Sequence, residues 1–343
     1  MSNKNLGGDF SLLSILPFVG SNQDFFPPSI GDNKCSFFET GTDAICALIL
    51  AHWEDNNKIN YCIWFPLHYC GQTILRIKQI LYNYRCALKF SYYEQQADLE
   101  NYKFDKGDII IWVHFNCFFP LQPFTTEYLK NKGVYILEDF VLAPFDINKL
   151  TGNAAVNSLR KITPLSLSMV YSKHSFPDYK FSPAYSDERR IAAWQKSVFE
   201  MDSKAALEVT FLERFHNAER ILNERLTIHI ASKEDEVLFK KIDWGKIFYT
   251  RKRNYSILLA ELNSQDLNIL SGEYLFLMLS LQGRDKVRKA LFVENIFPPI
   301  HWSDSQSPLS KTQLSIPIDQ RYSEPDMLQL AELLKKVIKI NAT

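Results

Sequence analysis

A turn of small residues before an apolar segment could bind a phosphate. Thr40-Gly41-Thr42-Asp43-Ala44 precedes a run that is predicted to be helical. The N-terminus of a helix presents free N–H groups and the positive end of a dipole, and both attract an anion. A turn of this kind also serves simply as a helix cap. The segment therefore predicts either an anion site or a capped helix.

Asp139 is a second candidate because it follows a predicted buried strand, Gly133–Leu137. An ionised carboxylate is unfavourable in such a place unless it is paired or hydrogen-bonded. Asp139 could bind a metal, a ribose or a protonated ring nitrogen. It could equally cap the next turn.

Lys161 is a third candidate and ends the segment Asn157–Lys161. A lysine held in a site can have its pKa lowered and form a Schiff base, and Arg160 would add positive potential there. The alternative is a basic pair on the protein surface.

The three candidates occur in the order that a pyridoxal-phosphate enzyme of the aspartate-aminotransferase fold needs. The helix start would bind the phosphate, Asp139 would keep the pyridine nitrogen protonated, and Lys161 would form the Schiff base with the cofactor. The combination predicts a cofactor site more specifically than any of its parts.

Alternating helices and strands are predicted around these residues, which is typical of a mainly parallel α/β sheet. The predicted helices are Thr42–Trp53, with Thr42 as N-cap, Gln72–Tyr84 and Pro123–Lys132. The predicted strands are Tyr61–Phe65, Ala87–Tyr92, Asp108–Phe115 and Gly133–Leu137. Ligand sites of such sheets lie beyond the carboxyl ends of the strands. Three polar segments lie at these ends, namely Pro66–Tyr69, His114–Asn116 and Glu138-Asp139.

The pattern changes in the last third of the chain. The predicted elements are a charged, mostly helical stretch Asp187–Glu224, a helix Ile242–Leu262, a strand Tyr274–Leu281, and helices Asp285–Val293 and Glu324–Ile340. We therefore predict a large domain at residues 1–230, with an N-terminal arm, and a smaller α+β domain at residues 231–343.

The composition argues against several classes of protein. Lys+Arg and Asp+Glu both number 39, so the formal net charge is zero and nucleic acid is not an expected partner. The basic cluster Arg251-Lys252-Arg253 is expected to be a solvated helix face or a local anion contact. The sequence contains no run of about 18 apolar residues, so no membrane helix is predicted. No signal peptide is expected either. The six cysteines form no C-x-x-C pair, so we expect no metal site. We expect them instead to be buried, reduced thiols of a cytoplasmic protein.

The sequence resembles the DegT/DnrJ-type sugar aminotransferases, most closely a branch found among surface-polysaccharide proteins. The resemblance covers nearly the whole chain. It rests on the segments Gly7–Phe10, Thr40–Ala44, Phe65–Cys70, Leu137–Asp139, Ser158–Lys161, Asn254-Tyr255, Ile296–Trp302 and Ile316–Tyr322. The last two are particularly specific, because generic helix and strand rules explain neither.

The resemblance implies a three-layer, aspartate-aminotransferase-like large domain of pyridoxal-phosphate fold type I, a small C-terminal domain and a homodimer. It implies transfer of an amino group from an amino-acid donor to a nucleotide-linked keto-sugar, in surface-polysaccharide or antibiotic-sugar biosynthesis. By position, Lys161 would be the Schiff-base lysine and Asp139 the pyridinium partner. Gly41, Thr42 and Ser158 would hold the phosphate. The residues that would face the substrate are His68, Arg160, His301 and Arg321.

Three departures from the family pattern bear on activity. Cys70 stands where an aromatic ring would stack on the cofactor, so that Tyr69 or His68 would have to replace it. Leu142 stands where a Gln or His would bond the phenolic oxygen of the cofactor. Ser168 and Met169 stand where a glycine pair would leave space. The alternatives are a non-catalytic relative that binds a sugar nucleotide or a partner protein, and an enzyme that uses the cofactor for another reaction, such as dehydration of the sugar.

Overall fold

A computed structural model describes residues 5–20, 33–95, 97–115, 120–202, 205–263, 267–270 and 275–341. Of residues 145, 146, 148 and 205–207 it describes the backbone only.

Twelve strands lie in the described residues and form three sheets. They are β1 (Leu6–Gly7), β2 (Lys34–Phe38), β3 (Cys62–Pro66), β4 (Lys89–Tyr93), β5 (Ile109–Val113), β6 (Tyr135–Asp139), β7 (Ala154–Val156), β8 (Ser168–Ser172), β9 (Asn268–Leu270), β10 (Phe276–Ser280), β11 (Ile296–Phe297) and β12 (Gln313–Pro317). Ten α-helices accompany them in the same part of the chain. They are α1 (Gly41–Asp55), α2 (Gly71–Asn83), α3 (Pro123–Asn131), α4 (Pro183–Met201), α5 (Ala205–Glu224), α6 (Lys233–Phe239), α7 (Trp244–Leu262), α8 (Arg284–Val293), α9 (Leu309–Thr312) and α10 (Glu324–Asn341).

The central sheet has seven strands in the order β2-β8-β7-β6-β5-β3-β4. The strands β3 to β7 run parallel to one another, while β8 is antiparallel to both β7 and β2. All five residues of β5 and of β6 are buried, as expected of parallel strands with both faces covered. The predicted mainly parallel α/β sheet is therefore confirmed.

The structure moves two predicted boundaries that matter for the site. The helix α1 begins at Gly41 and its N-cap is Thr40, whose hydroxyl accepts a hydrogen bond from the N–H of Asp43. The prediction of Thr42 as N-cap was therefore wrong. Asp139 is the last residue of β6 and does not follow it. The predicted stretch Asp187–Glu224 consists of the two helices α4 and α5.

The C-terminal part of the chain forms a separate sheet in the order β12-β10-β9. The N-terminal segment joins this part, because β1 pairs in parallel with β11. One buried apolar cluster combines Phe18, Leu142, Leu167, Trp244 and Met278, and so spans residues on both sides of position 230. The boundary between residues 230 and 231 stays a prediction.

Arg251 corrects the expectation of a solvated basic face on α7. Its side chain is buried, and its guanidinium donates to Gln320 Oε1 at 2.7 Å and to the Leu275 carbonyl at 3.0 Å. The Arg253 guanidinium donates to the carbonyl of Tyr322 at 2.9 Å. These two residues therefore tie α7 to the segment that follows β12.

The cysteines only partly match the expectation of burial. Cys46 and Cys86 are buried, Cys62 and Cys70 are half-buried, and Cys35 is exposed; all five are free thiols. Cys117 and Asn116 lie outside the described residues. Among the described helices, none is both long enough and apolar enough to cross a membrane.

Gly7 should be far less replaceable than its neighbour Gly8. Both residues have positive φ, +103° and +72°, so that alanine costs about 1 kcal/mol at either position. A Cβ on Gly7 would lie 2.4 Å from the carbonyl oxygen of Phe297, whereas one on Gly8 would meet only the Lys196 amine at 3.7 Å. We expect Gly7→Ala to lower the free energy of unfolding by roughly 3 kcal/mol and Gly8→Ala by about 1 kcal/mol, measured by denaturant unfolding. Equal losses would contradict the tight approach of β1 to β11.

Candidate active site

The ends of two neighbouring strands bring the candidate residues together. Asp139 ends β6 and is in register with Val156, which ends β7. Ser158 lies two residues after the end of β7 and directly precedes a 3-10 turn, Leu159–Lys161. The Leu159 N–H donates to the Leu167 carbonyl at 2.9 Å, which holds the start of this turn near β8. Register and turn therefore place Ser158 and Lys161 beside the carboxyl end of β6.

A cavity of about 200 Å³ lies between these strand ends and the N-terminus of α1. It is lined by all the residues to which the resemblance gives a cofactor-binding role, namely Gly41, Thr42, Tyr69, Asp139, Ser158 and Lys161. We call it the smaller cavity. An ideal Cβ on Gly41 would lie 3.8 Å from the Ser158 Cβ, so the helix start and the lysine segment face each other closely.

Asp139 is buried and accepts two hydrogen bonds. The Tyr69 hydroxyl donates to its Oδ2 at 2.5 Å, and the Val141 N–H donates to its Oδ1 at 2.9 Å. Burial raises the pKa of the Asp139 carboxyl, while these two donors lower it. Asp139 is thus a carboxyl group that a further cationic partner would hold in its ionised form.

Lys161 is held next to a second cation. Burial, and then the Arg160 guanidinium, lower the pKa of the Lys161 ammonium to about 8. Arg160 donates to Glu219 Oε1 at 2.8 Å and to the Tyr185 hydroxyl at 3.0 Å. Because its pKa is about 8, Lys161 holds an appreciable fraction of free amine near neutral pH, which nucleophilic attack and proton abstraction both require.

The C-terminal motif anchors the turn that carries Lys161. The Gln320 amide donates to the carbonyl of Ile162, the residue after Lys161, at 2.6 Å. The other end of the same amide accepts the Arg251 bond described above. Gln320 belongs to the segment Ile316–Tyr322, so this motif of the resemblance positions Lys161 through the backbone.

A larger cavity of about 440 Å³ shares Arg160, Lys161 and Glu219 with the smaller one. His301 and Arg321, two of the residues predicted to face substrate, line this larger cavity. Its lining among the described residues includes six cationic and three acidic side chains, which are Arg160, Lys161, Arg189, Arg251, Arg288 and Arg321 against Asp9, Glu219 and Asp319. The larger cavity therefore favours an anionic ligand.

Arg321 and His301 differ in the charge they bring. Arg321 pairs with Asp319 through two hydrogen bonds of 2.8 Å, and its guanidinium lies 4.3 Å from the Phe10 ring centre. His301 lies in a buried position, and burial first, then Lys161, lowers its pKa well below the usual value. His301 is therefore neutral at pH 7, and Arg321 is a cation with its position fixed by neighbours.

His68, which the resemblance also predicts to face substrate, lines neither of the two cavities. Its ring packs against Phe115 at 4.5 Å and Trp302 at 5.0 Å, and its Nδ1 lies 2.9 Å from the Ser305 hydroxyl. Burial lowers the pKa of His68 to about 4. His68 therefore belongs to an aromatic cluster with Phe115 and Trp302, whereas Trp302, Tyr69 and Cys70 line the smaller cavity.

The other departures from the family pattern also lie away from the smaller cavity. Leu142 and Met169 are buried in the apolar cluster with Phe18, and the cavity is lined by Val141 instead. The Ser168 hydroxyl donates to the Asn157 carbonyl. None of these three side chains lines the smaller cavity, so they do not occupy the space that a ligand would take.

Sequence reasoning missed several residues of the site. Arg76 and Trp302 line the smaller cavity, and Glu219 lines both cavities. Trp302 ends the segment Ile296–Trp302 on which the resemblance rests, so the sequence did offer a signal for it. Its unusual backbone conformation, with a φ of +54°, is visible only in the structure. Arg76 had no signal, because one arginine on an amphipathic helix is ordinary. At the predicted strand end His114, Nε2 lies 2.6 Å from Glu138 Oε2, and neither residue lines a cavity described above.

Comparisons with known proteins support the fold. No family model matches the sequence, and a search of curated proteins finds no match. A DegT DnrJ EryC1 StrS aminotransferase from Brucella abortus has a similar structure, with a TM-score of 0.54, 12% identity, and 88% of this chain and 85% of that chain covered. A NifS-like protein is similar with a TM-score of 0.52 and 15% identity, over 89% of this chain and 82% of that chain. A putative O-acetylhomoserine (thiol)-lyase from Campylobacter jejuni is similar with a TM-score of 0.54 and 12% identity, over 89% of this chain and 82% of that chain.

The chain therefore has the fold of pyridoxal-phosphate fold type I, as predicted from the sequence. The likeness to a DegT-type aminotransferase, which the sequence also predicted, is confirmed at the level of the fold.

Lys161 should be reactive at a lower pH than ordinary lysines. Competitive acetylation followed by peptide mass spectrometry should give a midpoint of about 8 for Lys161. Arg160→Gln should raise this midpoint because a neighbouring positive charge is removed, whereas Arg160→Lys, which retains the charge, should change it much less. A midpoint close to that of ordinary lysines, about 10.4, in the unsubstituted protein would contradict the burial of Lys161 beside Arg160.

Proposed function

We propose that this chain binds pyridoxal phosphate and transfers an amino group from an amino acid to a nucleotide-linked keto-sugar. The observation that carries the proposal is the position of Lys161, which lies where two cavities meet, one of them containing Asp139. The similar structure from Campylobacter jejuni contains N'-pyridoxyl-lysine-5'-monophosphate, so a protein of this fold binds the cofactor through a lysine.

The residues of the smaller cavity fit the cofactor in their chemistry. The N-terminus of α1 and the hydroxyl of Ser158 are donors for a phosphate. Asp139 is a buried carboxyl group suited to a protonated ring nitrogen, and Tyr69 and Trp302 offer aromatic walls. Lys161 supplies an amine that is partly unprotonated at neutral pH.

Pyridoxal phosphate, when bound, supplies an electron sink that stabilises negative charge at the reacting carbon. The protein would supply the rest. The Asp139 carboxylate would hold the ring nitrogen in its protonated form. Lys161 Nζ would accept and return the proton at the reacting carbon, because its lowered pKa leaves it able to do both near neutral pH.

The larger cavity supports an anionic sugar substrate. Arg160 and Arg321 both line it, and each is paired with an acid. The cationic side chains of the lining nevertheless outnumber the acidic ones. A nucleotide-linked sugar carries a diphosphate, and such an anion would be attracted by this excess. Lys161 lines both cavities, so a keto-sugar bound in the larger one would approach the cofactor at this residue.

A non-catalytic relative is the second candidate, and one hydrogen bond favours it. The Tyr69 hydroxyl already bonds Asp139 Oδ2, and the Val141 N–H bonds Oδ1, so both carboxyl oxygens have a donor before any ring nitrogen binds. If the Tyr69 bond persists, the pocket would bind a sugar nucleotide or a partner protein without the cofactor.

The assembly and setting belong to the same proposal. We propose a homodimer in the cytoplasm, in surface-polysaccharide or antibiotic-sugar biosynthesis, on the strength of the sequence resemblance. Sedimentation equilibrium of the purified protein measures the first of these directly, and a monomer at micromolar concentration would contradict it.

The cofactor test uses the visible absorption spectrum. Added pyridoxal phosphate should give a yellow protein, and borohydride should attach the cofactor permanently to the peptide that contains Lys161. Glutamate should bleach the unreduced form, and a nucleotide-linked keto-sugar should restore the colour. Lys161→Met should abolish the attachment, and Lys233→Met, which removes an exposed lysine on α6, should not. A colourless protein that takes up no cofactor would favour the second candidate.

Asp139→Asn tests the role of the carboxylate. Asn retains an oxygen that can accept from the Val141 N–H, so we expect thermal stability to change little. The amide cannot hold a ring nitrogen protonated, so amino transfer should fall roughly 10²- to 10³-fold. Tyr69→Phe is the matched control, because it removes the competing donor and keeps the carboxylate; cofactor affinity should stay the same or increase. A sharp loss of stability in Asp139→Asn, with and without cofactor, would show that Asp139 serves the fold.

A further inference from the structure

The first turn of α1 leaves two backbone donors at the smaller cavity. Thr40 caps the helix by accepting from the Asp43 N–H through its hydroxyl, at 3.2 Å, and from the Ala44 N–H through its carbonyl, at 3.1 Å. In the described part of the chain, no acceptor bonds the N–H groups of Gly41 and Thr42, and both residues line the cavity. These donors suit an anion, but a helix N-terminus alone does not define a site.

Arg76 is the second, independent feature at this place. It lies on α2, lines the smaller cavity, and is only 3% exposed. Its Nε and Nη2 are buried and have no hydrogen-bond partner among the described residues. Buried polar groups are nearly always hydrogen-bonded, so a guanidinium in this state calls for an acceptor that arrives with a ligand.

The acid that attracts Arg76, Asp43, is already bonded to another arginine. Arg225 donates to Glu39 Oε2 with one nitrogen and to Asp43 Oδ2 with another. The Thr40 hydroxyl also donates to Asp43 Oδ2, at 2.6 Å. Asp43 attracts Arg76 electrostatically without bonding it, and burial lowers the pKa of Arg76. Arg76 is therefore a buried cation that lines a cavity and has no hydrogen bond to an acidic side chain of the described residues.

We propose that Arg76 binds the phosphate group of the ligand in the smaller cavity, together with the N–H groups of Gly41 and Thr42 and the hydroxyl of Ser158. The identity of the ligand as pyridoxal phosphate rests on the proposed function, whereas the recognised chemistry is that of any phosphate monoester dianion. The helix start and the hydroxyl supply directed hydrogen bonds. The guanidinium supplies a full charge and a fork of donors that matches two phosphate oxygens.

Three substitutions separate a role in binding from a role in folding. Arg76→Met keeps most of the side-chain length and removes the charge; because no hydrogen bond is lost, the ligand-free protein should be at least as stable as the unsubstituted one. Arg76→Lys keeps the charge without the fork. Lys78→Met removes one charge from the same helix outside the cavity, where the Lys78 ammonium lies 5.0 Å from the Phe90 ring centre.

The experiment compares ligands with and without phosphate. Pyridoxal phosphate and pyridoxal are titrated against the four proteins, and thermal unfolding is measured with inorganic phosphate against chloride of equal ionic strength. Arg76→Met should weaken pyridoxal phosphate binding roughly 10- to 100-fold and leave pyridoxal binding unchanged. Phosphate should stabilise the unsubstituted protein and Lys78→Met, but not Arg76→Met. Arg76→Lys should fall between them.

Each contrary result has a distinct meaning. If Arg76→Met binds pyridoxal phosphate and phosphate as tightly as the unsubstituted protein, the inference is wrong and the proposed function stands. Equal losses for pyridoxal and pyridoxal phosphate, with a less stable ligand-free protein, would show that Arg76 serves Asp43 and would also overturn the inference. If no protein binds either pyridoxal compound, but phosphate stabilises all except Arg76→Met, the phosphate site stands and the proposed function fails. No response to phosphate or to pyridoxal phosphate would overturn both.

Discussion

Asp139, Lys161 and Arg76 carry their charges around one cavity, where Asp139 and Arg76 are buried and Lys161 is half-buried. An isolated charge in such a place is unfavourable, and each of the three is only partly compensated by the protein. Asp139 accepts two hydrogen bonds, Lys161 has a lowered pKa, and Arg76 has two unbonded nitrogens. These groups stand around a space and do not pair with one another. The arrangement suits a ligand that has an anionic end, a basic ring nitrogen and a carbonyl carbon.

The sheet explains how residues far apart in sequence reach this cavity. The parallel pairing of β6 with β7 sets Asp139 beside Val156, so Ser158 emerges at the same edge two residues later. The antiparallel pairing of β2 with β8 sets Phe38 beside Ser168, so the chain enters α1 close to the segment that precedes β8. Two pairings of different direction therefore bring the helix start, the carboxyl group and the lysine together.

The two cavities are joined by three residues, Arg160, Lys161 and Glu219. Arg160 bonds Glu219 on α5 and Tyr185 on α4, so the helical pair that follows the central sheet forms the wall of the junction. From the other side, Gln320 holds the backbone after Lys161. A cofactor-sized ligand and a larger anionic ligand could therefore reach the same lysine from different directions, which is the arrangement that a transfer between them requires.

The sequence alone was enough for the fold class and for the residues of the smaller cavity that a motif identifies. The buried apolar strands and the order of the helix start, Asp139 and Lys161 predicted the parallel sheet and its ligand edge, because these signals are local or depend only on chain order. The resemblance added His301 and Arg321, which do line the larger cavity, and His68, which does not. The orientation of the His68 side chain is set by its packing against Phe115 and Trp302, which are distant in sequence.

Tertiary structure alone decided the burial and bonding of single side chains. Arg251 and Arg76 are both arginines on amphipathic helices, and sequence gives no reason to bury either. Arg251 is buried because Gln320 and the Leu275 carbonyl, 69 and 24 residues away, accept its hydrogen bonds. Arg76 is buried beside a cavity because α2 packs against α1, where Asp43 already bonds Arg225. Local sequence determines periodicity and capping, but the partners of a buried charge are set by contacts between distant segments, which only the folded chain brings together.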